Sequence, residues 1–160
     1  MEETTLKDKF VTAFNTLWDT RAEIIENLRF AQVLLTDSTA IDIELEKLTS
    51  ELEIIVELIR KCIEENSTLA QDQNEYTARY NGYVERYEST QARIQELQKQ
   101  KAERKEKYDA FESFISAFAI QEKSLTEFDE GIWCLLLETV TVHTSGEFEF
   151  RFKDGSTIKK

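Results

Sequence analysis

The chain has 160 residues, no proline, four glycines and two cysteines, and 32 % of its residues are charged. This length fits one domain, and few helix breakers with many charges point to long helices. The formal charge of −12 has the wrong sign for a surface that grips phosphates along its whole length. The sequence has no apolar run of membrane-spanning length and no basic stretch and apolar core of a secretory leader at its start.

The first predicted helix covers about residues 5–35. Phe10, Phe14, Leu17, Ile24, Leu28, Ala31 and Leu35 step by fours and threes, with Arg21 at the one polar seam position. Such spacing puts an apolar stripe on one helix face, and Trp18 and Ile25 widen it. Thr36-Asp37-Ser38-Thr39 then interrupts. These residues compete for backbone hydrogen bonds, so the helix stops and restarts here, with Asp37 or Thr39 capping the next one.

The second helix covers about residues 40–65. Its seam is Ile41, Leu45, Leu48, Leu52, Ile55, Ile59 and Cys62, backed by Ile54, Leu58 and Ile63, and its outer face is mostly glutamate. Cap-type residues cluster at Asn66, Ser67, Thr68, Leu69, Ala70 and Gln71, where the seam lapses. This stretch reads as the tip of a helical hairpin, with Asp72 capping the third helix and Glu75 at capping-box distance.

The third helix carries the longest seam: Tyr76, Tyr80, Tyr83, Tyr87, Thr90, Ile94, Leu97, Lys101, Arg104, Tyr108, Phe111, Ile115 and Phe118. This is heptad spacing. The tyrosines have the look of a base-stacking platform, but their phase is that of a packed seam. Gly82 among them marks a close helix approach or a bend.

In an antiparallel pair turning near residue 69, Ile63 faces Tyr76, Ile59 faces Tyr80, Leu52 faces Tyr87, Leu45 faces Ile94 and Ile41 faces Leu97. The same register sets Leu35 by Arg104, Ala31 by Tyr108, Leu28 by Phe111 and Ile24 by Ile115. The arm is thus the hairpin 40–98, and a return segment, 99–121, pairs with the first helix. The basic interruption at Lys101 and Arg104 falls opposite Asp37. Asp37, Lys101 and Arg104 therefore mark either a hinge or an Asp37–Arg104 pair.

Past Phe118 the heptads end and residues 124–129 read as a loop. A short apolar helix, about 129–138, is predicted to be buried with Cys134 inside it. Thr139 to Thr144 switches to β-branched residues at period two. Ser145-Gly146 and Asp154-Gly155 are turns, and Phe148, Phe150 and Phe152 alternate with Glu149 and Arg151, a strand and hairpin pattern. The segment 129–160 is therefore a short helix and a small antiparallel β meander. The fold class is mainly α: a long antiparallel coiled-coil hairpin on a base of helix plus meander, one unit over 1–160.

No G-x-S-x-G, phosphate loop, HExxH or paired-cysteine motif occurs. Cys62 and Cys134 have neither CxxC spacing nor a nearby histidine, so no metal site or disulfide framework is indicated. His143, the single histidine, falls on the outward phase of a strand. The carboxylates read as solvated helix faces. Basic residues concentrate in Lys99–Lys107, with five basic and two acidic residues, and in Arg151–Lys160, with four and one. Those are the only places where the chain itself would touch DNA.

Three stretches carry a resemblance. Asp72-Gln73-Asn74-Glu75-Tyr76 through Arg79-Tyr80-Asn81-Gly82-Tyr83 to Glu88 is the first. Leu125-Thr126-Glu127-Phe128-Asp129-Glu130 through Trp133 is the second. Val140 to His143 through Phe150-Arg151-Phe152-Lys153-Asp154-Gly155 is the third. Together they resemble the C-terminal region of large serine recombinases, over nearly the whole chain from about Glu2. The resemblance implies a non-catalytic coiled-coil region that mediates contact between recombinase subunits in synapsis and controls the direction of recombination. Its tip, Asn66–Gln71, would touch the other subunits. The resemblance also implies that the serine catalytic domain, the DNA-binding domain and the zinc ribbon belong to the parent protein. This chain is then expected to be no enzyme and to hold no cofactor, zinc being confined to the ribbon. DNA would be met through those other domains or weakly, with no membrane and no small-molecule substrate. The setting would be the cytoplasm of a bacterium, in a bacterial or phage-encoded protein. A stand-alone acidic coiled-coil adaptor or mobile-element regulatory protein is the alternative from the residues alone.

Overall fold

The structure is a computed structural model and describes residues 3–160. Its elements are α1 (Glu3–Asp19), α2 (Arg21–Thr36), α3 (Thr39–Thr68), α4 (Gln73–Ile120), α5 (Glu130–Leu136), β1 (Leu137–Val142), β2 (Phe148–Phe152) and β3 (Thr157–Lys159). The mainly α class with a small antiparallel sheet is as the sequence predicts. Among the described residues no helix is long and apolar enough to cross a membrane.

The chain divides into two compact units, residues 37–104 and the remainder. The boundaries fall at Asp37 and Arg104, two of the three residues singled out as a hinge or a pair.

The larger unit holds α1, α2, the end of α4, α5 and the sheet. The predicted helix 5–35 is two helices, not one. Thr20 N–H reaches back only to the Leu17 carbonyl (3.2 Å), and Thr20 Oγ1 donates to the same oxygen (3.2 Å). Arg21 Nη1 donates to the Trp18 carbonyl (3.3 Å) while its guanidinium lies 4.2 Å from the Trp18 ring centre. Side-chain donors thus compete for carbonyls that would continue the helix. The core is Phe10, Phe14, Leu17 and Trp18 of α1, Leu28 of α2, Phe111, Phe114, Ile115 and Phe118 of α4, and the sheet face of Phe148, Phe150 and Phe152. The rings meet mostly edge-on or tilted, as Phe14 on Phe118 (6.0 Å, 87°) and Phe10 on Trp133 (4.8 Å, 62°), the arrangement that aromatic quadrupoles favour.

The sheet order is β1-β2-β3, antiparallel throughout. Gly146 and Gly155 adopt positive φ (85° and 92°) at the two turns, which is why glycine stands there. The short helix departs from expectation. It ends at Leu136, and Leu137 already belongs to β1. Leu136 is fully buried, but Leu135 and Cys134 are exposed. A two-turn helix lying on a core can bury only one side, so the dense apolar run did not bury Cys134.

The smaller unit is an antiparallel pair of α3 and residues 73–104 of α4. Ion pairs report the register: Glu51–Arg86 (3.2 Å) and Glu44–Arg93 (2.8 Å) each flank a predicted rung, Leu52–Tyr87 and Leu45–Ile94. Ile55, Cys62, Thr90 and Leu97 are buried, and Tyr76, Tyr80, Tyr83 and Tyr87 are half-buried along the seam. The Ile63–Tyr76 rung is corrected. Cys62 is 2 % exposed and Ile63 48 %, so the cysteine holds the seam position and the isoleucine lies outside. Ile54 is likewise exposed. A β-carbon added at Gly82 would meet nothing within 4 Å, so the glycine marks no close approach.

Candidate functional site: the hairpin tip and its anchor

The tip is tighter than the sequence predicts. Asn66, Ser67 and Thr68 form the last turn of α3, and only residues 69–72 are outside helices. Ser67 Oγ and Thr68 Oγ1 both donate to the Glu64 carbonyl (2.7 and 3.0 Å). These residues satisfy the helix end with their side chains instead of breaking it. Leu69 is the first extended residue (φ −121°, ψ 139°), and its N–H caps the Glu65 carbonyl.

Hydrogen bonds across the turn fix the loop. Asn66 Oδ1 accepts from Gln71 Nε2 (3.3 Å) and Gln73 Nε2 (3.0 Å). Asp72 Oδ1 accepts the N–H groups of Asn74 (2.7 Å) and Glu75 (3.1 Å), as expected of a capping carboxylate. Arg79 joins the two helices, donating to Gln71 Oε1 (3.0 Å) and pairing with Glu65 (3.3 Å). Of the six residues the sequence nominates, Asn66 and Gln71 are half-buried scaffold. Ser67, Thr68, Leu69 and Ala70 are exposed. Leu69, 64 % exposed, is an apolar side chain held outward by an ordered turn.

At the other end of this unit, Lys101 Nζ pairs with Asp42 (2.7 Å), and Arg104 Nη1 donates to the Asp37 backbone carbonyl (2.5 Å). The Asp37 carboxylate is engaged elsewhere, accepting the Thr39 N–H (3.2 Å). The N-cap position is Ser38, not Asp37 or Thr39, and its hydroxyl bonds Asp42 (2.7 Å). Lys101 and Ser38 together hold the Asp42 carboxyl below its ordinary range, and the Thr39 contacts, with Arg104 nearby, do the same for Asp37. The seam interruption is therefore a pair of basic residues tied to α3 and its lead-in.

The basic stretches are largely neutralised within the chain. Lys99 lies near Glu103 (3.7 Å) and Lys105 pairs with Asp109 (2.7 Å). Arg151 pairs with Glu138 (3.0 Å) and Lys159 with Glu149 (3.1 Å). Lys153 donates to the Cys134 carbonyl (2.7 Å). His143 is half-buried, its Nε2 3.4 Å from Glu149 Oε2 without the alignment of a hydrogen bond.

A surface groove beside α1 and α5, lined by Leu6, Phe128 and Trp133 among others, has a volume of about 420 Å³. Lys7 stands in it, over the Phe128 ring and paired with Glu3 (2.6 Å). Among the described residues no group of His, Cys, Asp and Glu is placed to hold a metal ion.

No protein-family model, curated protein or solved structure matches the chain. The tip is legible in the sequence. Gln32, buried between α2 and α4 and bonded to Tyr108 and Glu112, is not, because a single glutamine on an apolar helix carries no periodic signal.

Proposed function

We propose that this chain is a non-catalytic protein–protein contact region, the coiled-coil part of a large serine site-specific recombinase. In this reading the α3–α4 tip touches another recombinase subunit during synapsis and biases the direction of recombination. The observation that carries it is Leu69: an apolar side chain, 64 % exposed, on a turn whose polar groups are tied down by Asn66, Asp72 and Arg79. A preorganised apolar knob loses little conformational freedom on contact. The three sequence stretches that resemble the recombinase family support the same reading.

The test is to substitute Leu69 and Thr68 in a full-length recombinase carrying this region. The expected result is a changed balance of integration and excision, with single-site DNA binding intact. Recombination unchanged in both directions would overturn the tip assignment.

One observation favours a second reading, a stand-alone coiled-coil adaptor that associates sideways. Ile43 and Ile54 of α3 are 63 % and 60 % exposed, outside the internal seam. Light scattering on the chain with Ile54→Gln decides it. Self-association lost in that variant supports the adaptor, and a mass that Ile54→Gln leaves unchanged removes it.

A further inference from the structure

β1 pairs on one side only among the described residues, because the sheet order places it at an edge. Its hydrogen-bonding phase is fixed by its neighbours. His143 N–H donates to the Glu147 carbonyl (2.9 Å), and Phe148 exchanges both backbone bonds with Lys160 (2.8 Å each). In an antiparallel ladder bonded and non-bonded pairs alternate. Thr139 and Thr141, opposite Arg151 and Glu149, therefore turn their peptide groups toward β2. Val140 and Val142 turn theirs outward, to where no described strand lies.

The two edges of this sheet are treated differently. β3 is three residues long, with Lys159 in it and Lys160 after it, a short charged edge of the kind that resists pairing. β1 has Thr-Val-Thr-Val over 139–142, all β-branched and all uncharged. Its one acidic residue, Glu138, lies at the register irregularity between Leu137 and Thr139 and is paired with Arg151.

The outward peptide groups dictate an extended strand as occupant. The side chains narrow it further. Val142, on the same face as Phe148, is 46 % exposed and needs an apolar neighbour. Thr141, on the opposite face, needs a small uncharged one. β1 itself meets both requirements. Antiparallel pairing of two copies about Thr141 sets Val140 of one beside Val142 of the other and Thr141 beside Thr141. It matches no charge against a like charge along 139–142, which matters for a chain of formal charge −12. β2 and β3 carry Glu149, Arg151 and Lys159 in the corresponding positions. Threonine pairs and β-branched pairs across strands are stabilising, and a two-fold interface must be self-complementary in this way.

We propose that β1 is a homotypic strand-pairing edge, at which a second copy of this chain adds its own β1 antiparallel to make one continuous sheet. The contact is independent of the hairpin tip. The test combines sedimentation equilibrium with amide hydrogen exchange on the chain from roughly 20 µM to roughly 1 mM, since association follows mass action. The expected result is a mass rising toward two copies, with exchange at Val140 and Val142 slowing about tenfold in step. Val142→Pro removes one outward donor, and Val142→Lys places a charge where the second strand would lie. Both are expected to abolish the concentration dependence while circular dichroism keeps its wild-type form. Leu69→Ser is expected to leave it intact, which separates this contact from the tip. Val140 and Val142 exchanging at the same rate at every concentration would overturn the proposal. So would association that survives in whichever Val142 variant keeps its fold.

Discussion

Gln32, 3 % exposed, donates from Nε2 to Glu112 Oε2 (3.0 Å) and also to the Tyr108 carbonyl (3.3 Å). Arg29 completes the cluster, donating to Gln32 Oε1 (3.0 Å) and pairing with the same Glu112 carboxylate. This buried glutamine keeps α2 and α4 in one register, because any slip would leave its amide without partners. Gln32→Ala is expected to lower unfolding stability by about 1–3 kcal/mol, from lost hydrogen bonds and packing. Urea denaturation checks this. A change within about 0.5 kcal/mol, the level of an ordinary surface substitution, would show that Gln32 anchors nothing.

Gly82 stands in the interior of α4, is exposed, and has open space where a β-carbon would be. Glycine in a helix interior costs about 0.8–1 kcal/mol relative to alanine, much of it through unfolded-chain entropy. Gly82→Ala is therefore expected to stabilise the protein by roughly that amount, read as an upward shift of the denaturation midpoint at unchanged slope. A destabilised variant would mean that the bend freedom of glycine is needed there.

The seams, the antiparallel register and the β meander were legible because each rests on a repeated pattern over many residues. The break at Thr20 was not. A stop of one residue leaves the phase from Leu17 to Ile24 almost unchanged, so periodicity does not register it. The tip was located but drawn too long, because Asn66, Ser67 and Thr68 have the composition of a loop while their side chains serve the last helical turn. The antiparallel register sets Ile63 opposite Tyr76, but Ile63 lies outside, while Cys62 is buried at the seam position that its spacing predicts. The proposed role of Leu69 rests on exposure and order, two properties that sequence alone states weakly.

Acid is expected to loosen the ion pairs that join α3 to α4. Asp42 and Glu44 are held below their ordinary values of 3.8 and 4.5, chiefly by hydrogen bonds from Lys101 and Arg93. A carboxylate with a lowered folded-state pKa stabilises fully above its unfolded value, and the contribution is lost as pH falls through the folded one. Thermal stability should therefore hold from neutrality down to these ordinary values of 3.8 and 4.5 and fall as pH drops below them. Lys101→Met should flatten that limb, because it removes the hydrogen bond that does most to hold the Asp42 carboxyl down. Melting temperatures across the range for both proteins test this, and identical acid limbs would contradict it.

Phe150 has no exposed surface and sits between α1 and α5, its ring 6.1 Å from Phe10 and 6.5 Å from Trp133. It is the middle residue of the middle strand, so it ties the sheet to the helical core through side chains alone. Removing the ring leaves a cavity that rigid neighbours on both sides cannot fill. Phe150→Ala is expected to cost about 3–5 kcal/mol and Phe150→Leu appreciably less. A small sheet does not persist without a surface to rest on. Loss of protection at Phe150 and Ile158 amides, which pair across β2 and β3, should therefore accompany the loss of stability. Amide exchange on the alanine variant checks the point. An intact, protected β2–β3 ladder in a strongly destabilised variant would show that the meander holds together without its seat on α1.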